Sequence, residues 1–557
     1  VADGAITTAK LGSDSVNADK LANTAVTAGS YTTADITVDA QGRITAAANG
    51  SIATAEIADG AVTAAKIATG ADFTFNSVIV GKGANSVAGN TVLGETALDA
   101  NTTGGNNTAV GKGALTENTE GILNTAVGKD ALENNTTGGS NVAVGNTALD
   151  AKTTGSNNTV VGTDALTTNT TGGNNTAVGR RALRFSTTAS NNTGIGYQAL
   201  EANTTGTQNV AVGALALDTN TTASSNTAIG HLALTADTTG DSNVAVGQRS
   251  LTANTTASNN TAVGTVSLFA NTTGASNVAV GTSALQNNTT ASNNTAVGNS
   301  ALLANTTGTE NVAVGALALT ANTTADNNTA VGLQALLNNT TGSANTAVGR
   351  IALQANTTAN HNTGLGARAL LSNTTGTQNT AVGSNALDES STADNCTAVG
   401  YESLSANTTG ARNTAVGADA LSANTTASNC TAVGKAALEE NTTGGDNVAV
   451  GRDALEANTT GFDNTACGTQ ALESNTTGVR NTAMGRDALT ACTTGGENTA
   501  CGENAGDNLT TGANVGCFGY NAKPSTATTN NEIILGNANI GAVRCGPGGV
   551  TTLSDGR

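Results

Sequence analysis

The chain has no tryptophan, two prolines, and only 2% aromatic residues among its 557. A conventional globular core built on aromatic packing is therefore excluded. Charged residues make up 11%, against about 25% in an average domain. Disordered chains usually combine high charge with abundant proline, and this chain has neither. Only His231 and His361 are available for imidazole chemistry, and they stand far apart in the sequence. No run of about 18 apolar residues occurs, which predicts no membrane-spanning helix. No secretory leader pattern is visible near Val1.

What is present is small and repetitive. Glycine numbers 69, and the 38% hydrophobic content is mostly Ala, Val and Leu. The formal net charge is −18 and the isoelectric point about 4.4. Such a surface repels phosphate, so nucleic acid is not an expected partner. The charge suits the solubility of a long particle.

Periodicity overrides the usual inference from length to several domains. The unit is clearest at 101–117, NTTGGNNTAVGKGALTE. Its anchor is Gly111, which recurs as Gly94, Gly128 and Gly145 and then every 17 residues to Gly536, 27 times in all. A Leu follows four residues after each anchor, from Leu98 through Leu115 and Leu132 to Leu489, without insertion or deletion. Independent surface loops tolerate insertions, so a strict count means that each turn is locked to its neighbours. Helical repeats are longer than 17 residues, and Thr, Val, Asn and Gly at fixed places disfavour helix. The expected fold is all-β: a parallel β-solenoid of 27 stacked coils, with neighbours about 4.8 Å apart and a length of roughly 130 Å.

Strand alternation puts one of Ala109 and Val110 inside and the other outside. The same rule would split Ala114 from Leu115, giving an interior of about one Val and one Leu per turn. An outer apolar row then remains, and it needs a partner surface. The row at Asn107 should stack amide on amide. Asn101-Thr102-Thr103 fits a glycosylation sequon, yet a turn explains it equally well. Three residues after the Asn101 position, Gly and Ala alternate from Ala189 to Gly444, which suggests a 34-residue pair as the genetic unit.

The domains read as 1–70, a β-rich attachment region with a hairpin turning at 40–42; 71–93, a transition; 94–502, the repeats; and 503–557, a cap and junction. Acidic residues such as Asp130, Asp164 and Glu402 are scattered, so no metal or cofactor is expected. Cys396 and Cys430 share one repeat slot two turns apart, as do Cys467 and Cys501. Two turns span roughly 9.6 Å, too far for a bridge within one chain. Burial as free thiols is the expectation, with contacts between chains as the alternative. Cys492, Cys517 and Cys545 complete the set.

The 17-residue unit resembles the head repeats of trimeric autotransporter adhesins, with their AVG-x-x-A core. It also resembles the NTTG-x-x-NTAVG-x-x-AL arrays of phage tail-fibre-like proteins. NEIILGNANIGAVRCG (531–546) followed by LSDGR (553–557) resembles the junction before the intramolecular chaperone domain of phage tailspikes. That family's motif is Ser-Asp-x-Arg-Leu-Lys, with the Ser as self-cleaving nucleophile; Ser554, Asp555 and Arg557 match, and the Leu and Lys are absent. The resemblance implies a homotrimer, an extracellular place in a virion tail fibre or bacterial surface appendage, and attachment to a cell-surface receptor or glycan. It does not imply membrane insertion, since the adhesins' anchoring barrel is not seen, nor an enzyme, with Ser554 at most a cleavage remnant. Candidate recognition slots are Lys112 and Gly113 after the anchor, and Gly105 and Asn106 before the ladder Asn. The alternatives are a filament or sheath subunit without a receptor, and ice binding. Ice binding would require Thr at alternate positions, whereas Thr102 and Thr103 are adjacent.

Overall fold

The computed structural model describes residues 34–40, 43–49 and 72–540, and the chain divides into two compact units, Val1–Ala71 and Asp72–Arg557. In the first unit the expected hairpin is present. Strand β1 (Ala34–Val38) pairs antiparallel with β2 (Ile44–Asn49), Ile36 opposite Ala47 and Val38 opposite Ile44. Arg43 Nε lies 2.6 Å from Asp39 Oδ2 across the turn.

The second unit is a parallel β-solenoid. It opens with β3 (Phe73–Phe75), β4 (Val78–Gly81) and β5 (Thr91–Gly94), which pair antiparallel in succession. From β5 onward every neighbour is parallel. β6 (Thr108–Val110) is followed by three-residue strands every 17 residues to β31 (Ile533–Leu535). The 27 strands β5 to β31 bound 26 turns. The period survives past Gly502, where the consensus fades, because Gly516–Phe518 and Ile533–Leu535 still pair in register. The antiparallel β3–β4 hairpin covers the first edge of the ladder, a device that protects an edge from further pairing.

Each strand alternates as expected. Ala109 is fully buried and Val110 faces out. Ala114 and Leu115 do not split: both are fully buried. The reason is backbone conformation. Leu115 has φ 55°, and every Leu of its row from Leu98 to Leu489 is likewise left-handed. A left-handed residue interrupts the two-residue alternation of a strand, so two successive side chains turn inward. Bulky residues rarely adopt this region, at a cost of about 1–2 kcal/mol each. Burying the Leu side chain recovers about 1.5–3 kcal/mol. The interior of a typical turn is thus two alanines, one leucine and two asparagines, with the Val110 column outside; Val92 and Val160 replace the Ala109-type alanine inside.

The anchor glycine is fixed twice over. Gly111 has φ 129°, and a Cβ there would sit 2.5 Å from the Gly128 carbonyl oxygen of the next turn. The Gly–Ala alternation has no counterpart in such distances. An added Cβ would meet the next carbonyl oxygen at 2.3 Å where Gly follows, as at Gly104, and at the same 2.3 Å where Ala follows, as at Gly308. No two Ala turns are consecutive in this row.

Candidate functional site

The solenoid has two kinds of surface, one invariant and one variable, and both follow from the coil. Of the predicted scaffold residues, Leu115, Leu132 and Asn107 are buried, and Gly111, Gly128 and Gly145 line the strand ends. The Asn107 row does not stack mainly amide on amide. Asn107 Nδ2 donates to the Gly121 carbonyl (2.8 Å), and its Oδ1 accepts the backbone N–H of Asn124 (2.9 Å). Each side chain therefore clasps the backbone of the next turn at two points. Amide stacking belongs to the Asn101 row instead. Asn118 Nδ2 donates to Asn101 Oδ1 (3.1 Å), and Asn135 Nδ2 to Asn118 Oδ1 (2.7 Å). Asn101 is 1% exposed, so the sequon serves the turn.

The Asn101 row is interrupted by Lys152, Ser186, Asp237, Ser390 and Cys492. The Asn oxygens of this row that lack a partner are those of Asn135, Asn220, Asn373 and Asn475, each one turn before Lys152, Asp237, Ser390 and Cys492. Ser186 leaves no such orphan behind it, because Lys152 reverses the local direction. Its Nζ donates forward to Asn169 Oδ1 (2.7 Å) and to the Gly172 carbonyl. Asn169 Nδ2 then points on to Ser186 Oγ (3.5 Å). Burial lowers the Lys152 ammonium to about 8. Asp237 Oδ1 accepts from Asn254 Nδ2 (2.9 Å), while its Oδ2 and the Asn220 oxygen are both without partners. Burial pushes this carboxyl up to about 7. A proton on Oδ2 gives Asn220 the donor that an amide would have supplied.

Outside, the variable slots line up in columns. Lys112 is exposed and lies 3.0 Å from Glu95, its counterpart one turn earlier. Gly105 is half-buried and Asn106 exposed, with φ 58°. Gly113 is buried rather than exposed: its position is left-handed (φ 73°) and tucked beneath the Asp130 carboxyl. In other turns that position holds half-buried side chains such as Asp164 and Arg181. The second residue of both slots is left-handed in turn after turn. The abundance of Asn, Asp and Ser there was the available signal. A third variable pair, Thr116 and Glu117 and its equivalents, was missed. It carries Arg184 with Phe185, the guanidinium 5.0 Å from the ring centre, and Phe269, under Arg249 at 4.8 Å.

Acidic side chains cluster on these columns. Asp388, Glu389, Asn385 and Glu402 line an open cleft of about 220 Å³, with Arg368 bonded to Asp388 at 3.2 Å. Asp453, Glu456 and Glu473 bring carboxylates within 4.8 Å of one another, and burial pushes Glu456 up. Asp130 lies beside Lys129, Asp164 accepts from Thr147, and Glu402 lines the cleft. His231 and His361 occupy exposed slots more than seven turns apart. Thr102 donates its hydroxyl to the Thr119 carbonyl (2.8 Å), so the pair leaves one outward row of free hydroxyls, at Thr103. Ser554 and Cys545 lie outside the described residues.

The strand face is different again. Its outward columns are those of Thr108 and Val110. The first is Thr or Val from Thr91 to Thr499; the second is aliphatic, apart from Cys467, Met484, Cys501 and Phe518. Neither holds a charged residue in any of the 27 strands. Exposure along the Val110 column reaches 49% at Met484. No family model matches the chain, and no curated protein matches it.

Proposed function

We propose that this chain is the shaft of an extracellular fibre, of a virion tail or a bacterial surface appendage, assembled as a homotrimer of parallel, in-register copies. The observation that carries the reading is the uncharged strand face in a chain of net charge −18. Copies that repel one another through their slot columns can approach along this strip. The strip is roughly 125 Å long and about 7 Å wide, on the order of 900 Å² per copy, comparable with the ~800 Å² per partner of a standard interface. Identical columns occur at identical heights in every copy, so rotation about an axis along the rod buries them equivalently. The threefold order rests on the resemblance to trimeric fibres. The slot columns remain outside, where variation on a rigid lattice presents a surface for a host receptor or glycan. No catalytic role is assigned.

Light scattering on the folded chain tests this. The expected mass is about three times the 54.0 kDa of one chain. A folded species of 54.0 kDa refutes it. Unlimited end-to-end growth supports the filament or sheath reading instead.

A further inference from the structure

We propose that Cys467 and Cys501 are assembly thiols, which on oxidation join neighbouring copies of this chain at two levels of the fibre. The inference rests on the self-association reading above. Of the described cysteines, Cys396, Cys430, Cys492 and Cys517 are buried inside the coil, and none is bridged. Burial pushes the Cys430, Cys492 and Cys517 thiols up to about 11, which suppresses the thiolate needed for exchange. Cys467 and Cys501 alone among them are exposed. Both stand in the outward Val110 column, in register with Val450 and Met484 and with Met484 and Phe518 respectively. Two turns separate them, so they cannot bridge within one chain. In a parallel, in-register assembly the nearest thiol to Cys467 is Cys467 of another copy, and the same holds for Cys501.

The chemistry is a two-electron oxidation. Two thiols lose two protons and two electrons, one S–S bond forms, and dioxygen or a copper(II) complex takes the electrons. Symmetry then sets the product. Three identical thiols around an axis allow one disulfide and leave one thiol free. A single level therefore links two chains at most, and two levels are needed to link three. If the levels pair independently, about two thirds of trimers become fully covalent and the rest yield a linked pair plus a single chain.

The test uses the full chain carrying Cys545→Ser, oxidised with copper(II) phenanthroline, then alkylated and run under denaturing, non-reducing conditions. Light scattering is measured on the same samples. The expected pattern is covalent trimer and dimer for the parent, at most dimer for Cys467→Ser or Cys501→Ser, and single chains for the double variant. A three-chain mass without links, or links that persist in the double variant, overturns the thiol assignment alone. Dimer without any trimer overturns the two-level scheme, and a two-chain mass beside it means a twofold axis. A single-chain mass overturns the self-association reading and this inference with it.

Discussion

Two asparagine rows run side by side through the same core, yet the sequence treats them differently. From Asn90 to Asn498 the Asn107 row is broken only by Cys396 and Cys430. From Asn101 to Cys492 the other row is broken five times. The hydrogen bonds explain the contrast. An Asn107-type side chain satisfies two backbone groups of the next turn: an N–H with no other partner, and a carbonyl that it shares with an Asn101-type amide. Cys396 shows the cost: Sγ still reaches the Gly410 carbonyl (3.3 Å), but a thiol gives the N–H of Asn413 no counterpart of the Asn oxygen. An Asn101-type side chain mainly satisfies another side chain, so its loss strands a single amide oxygen. Buried groups must be paired, and the two rows differ in what depends on each residue: a backbone N–H in one, a side-chain oxygen in the other.

The largest test of that contrast truncates one residue in each row. Asn294→Ala leaves the N–H of Asn311 without a partner and the Gly308 carbonyl with only the Asn305 amide. Asn288→Ala leaves the Asn271 oxygen, the Asn305 amide and the Ala291 carbonyl short of one bond each; two of these are side chains, and the carbonyl keeps the Asn277 amide. The expected losses are about 2–4 kcal/mol for the first and about 1–2 for the second, read by denaturant unfolding. Equal losses would mean that the rows differ in history rather than in physics.

Sequence alone reached the solenoid, its period and its parallel stacking, because a 17-residue count that never slips is a global constraint printed at every turn. It placed Ala109 and Val110 on opposite sides for the same reason that any strand alternates. It failed at Leu115, since nothing in a leucine announces a left-handed backbone, and bulky residues argue against one. That error moved valine into the core on paper and hid how uniform the outer strand face is. It also misjudged the two ladders. An Asn is an Asn in sequence, and only the neighbouring carbonyl positions decide whether its amide meets backbone or another amide. The slot at Thr116 and Glu117 was missed because the Leu before it was read as a strand residue.

Asp237 sharpens the comparison, because here an Asn101-type position carries a titrating group. The carboxyl is raised from 3.8 to about 7 by burial, so the folded chain keeps a proton that the unfolded chain releases near pH 4. Stability is greatest below about pH 4 and falls as the pH rises through about 7, where the folded carboxyl ionises. Asp237→Asn removes the titration and restores a donor to the Asn220 oxygen. The variant should match the parent at pH 4 and exceed it by roughly 2–4 kcal/mol at pH 8. A parallel pH dependence in the two proteins would show that Asp237 is ionised in the fold throughout.

Ser390 gives the smallest effect and the cleanest geometry, since no charge is involved. Its hydroxyl has no partner, nor does the oxygen of Asn373 one turn before it. One turn later, Asn407 Nδ2 has only the Gly410 carbonyl, where its equivalents elsewhere also reach back to an Asn oxygen. A serine ends one bond short of the amide that the row expects, so both neighbours lose their partner across the same gap. Ser390→Asn should close it: Nδ2 donates back to Asn373 and Oδ1 accepts from Asn407. The slot accepts Asn on both sides without strain, so no new volume has to be found. A gain of about 1 kcal/mol is expected, together with slower amide exchange across the neighbouring turns. A loss of stability would mean that the gap is already filled by ordered water, which bonds all three groups better than an amide can.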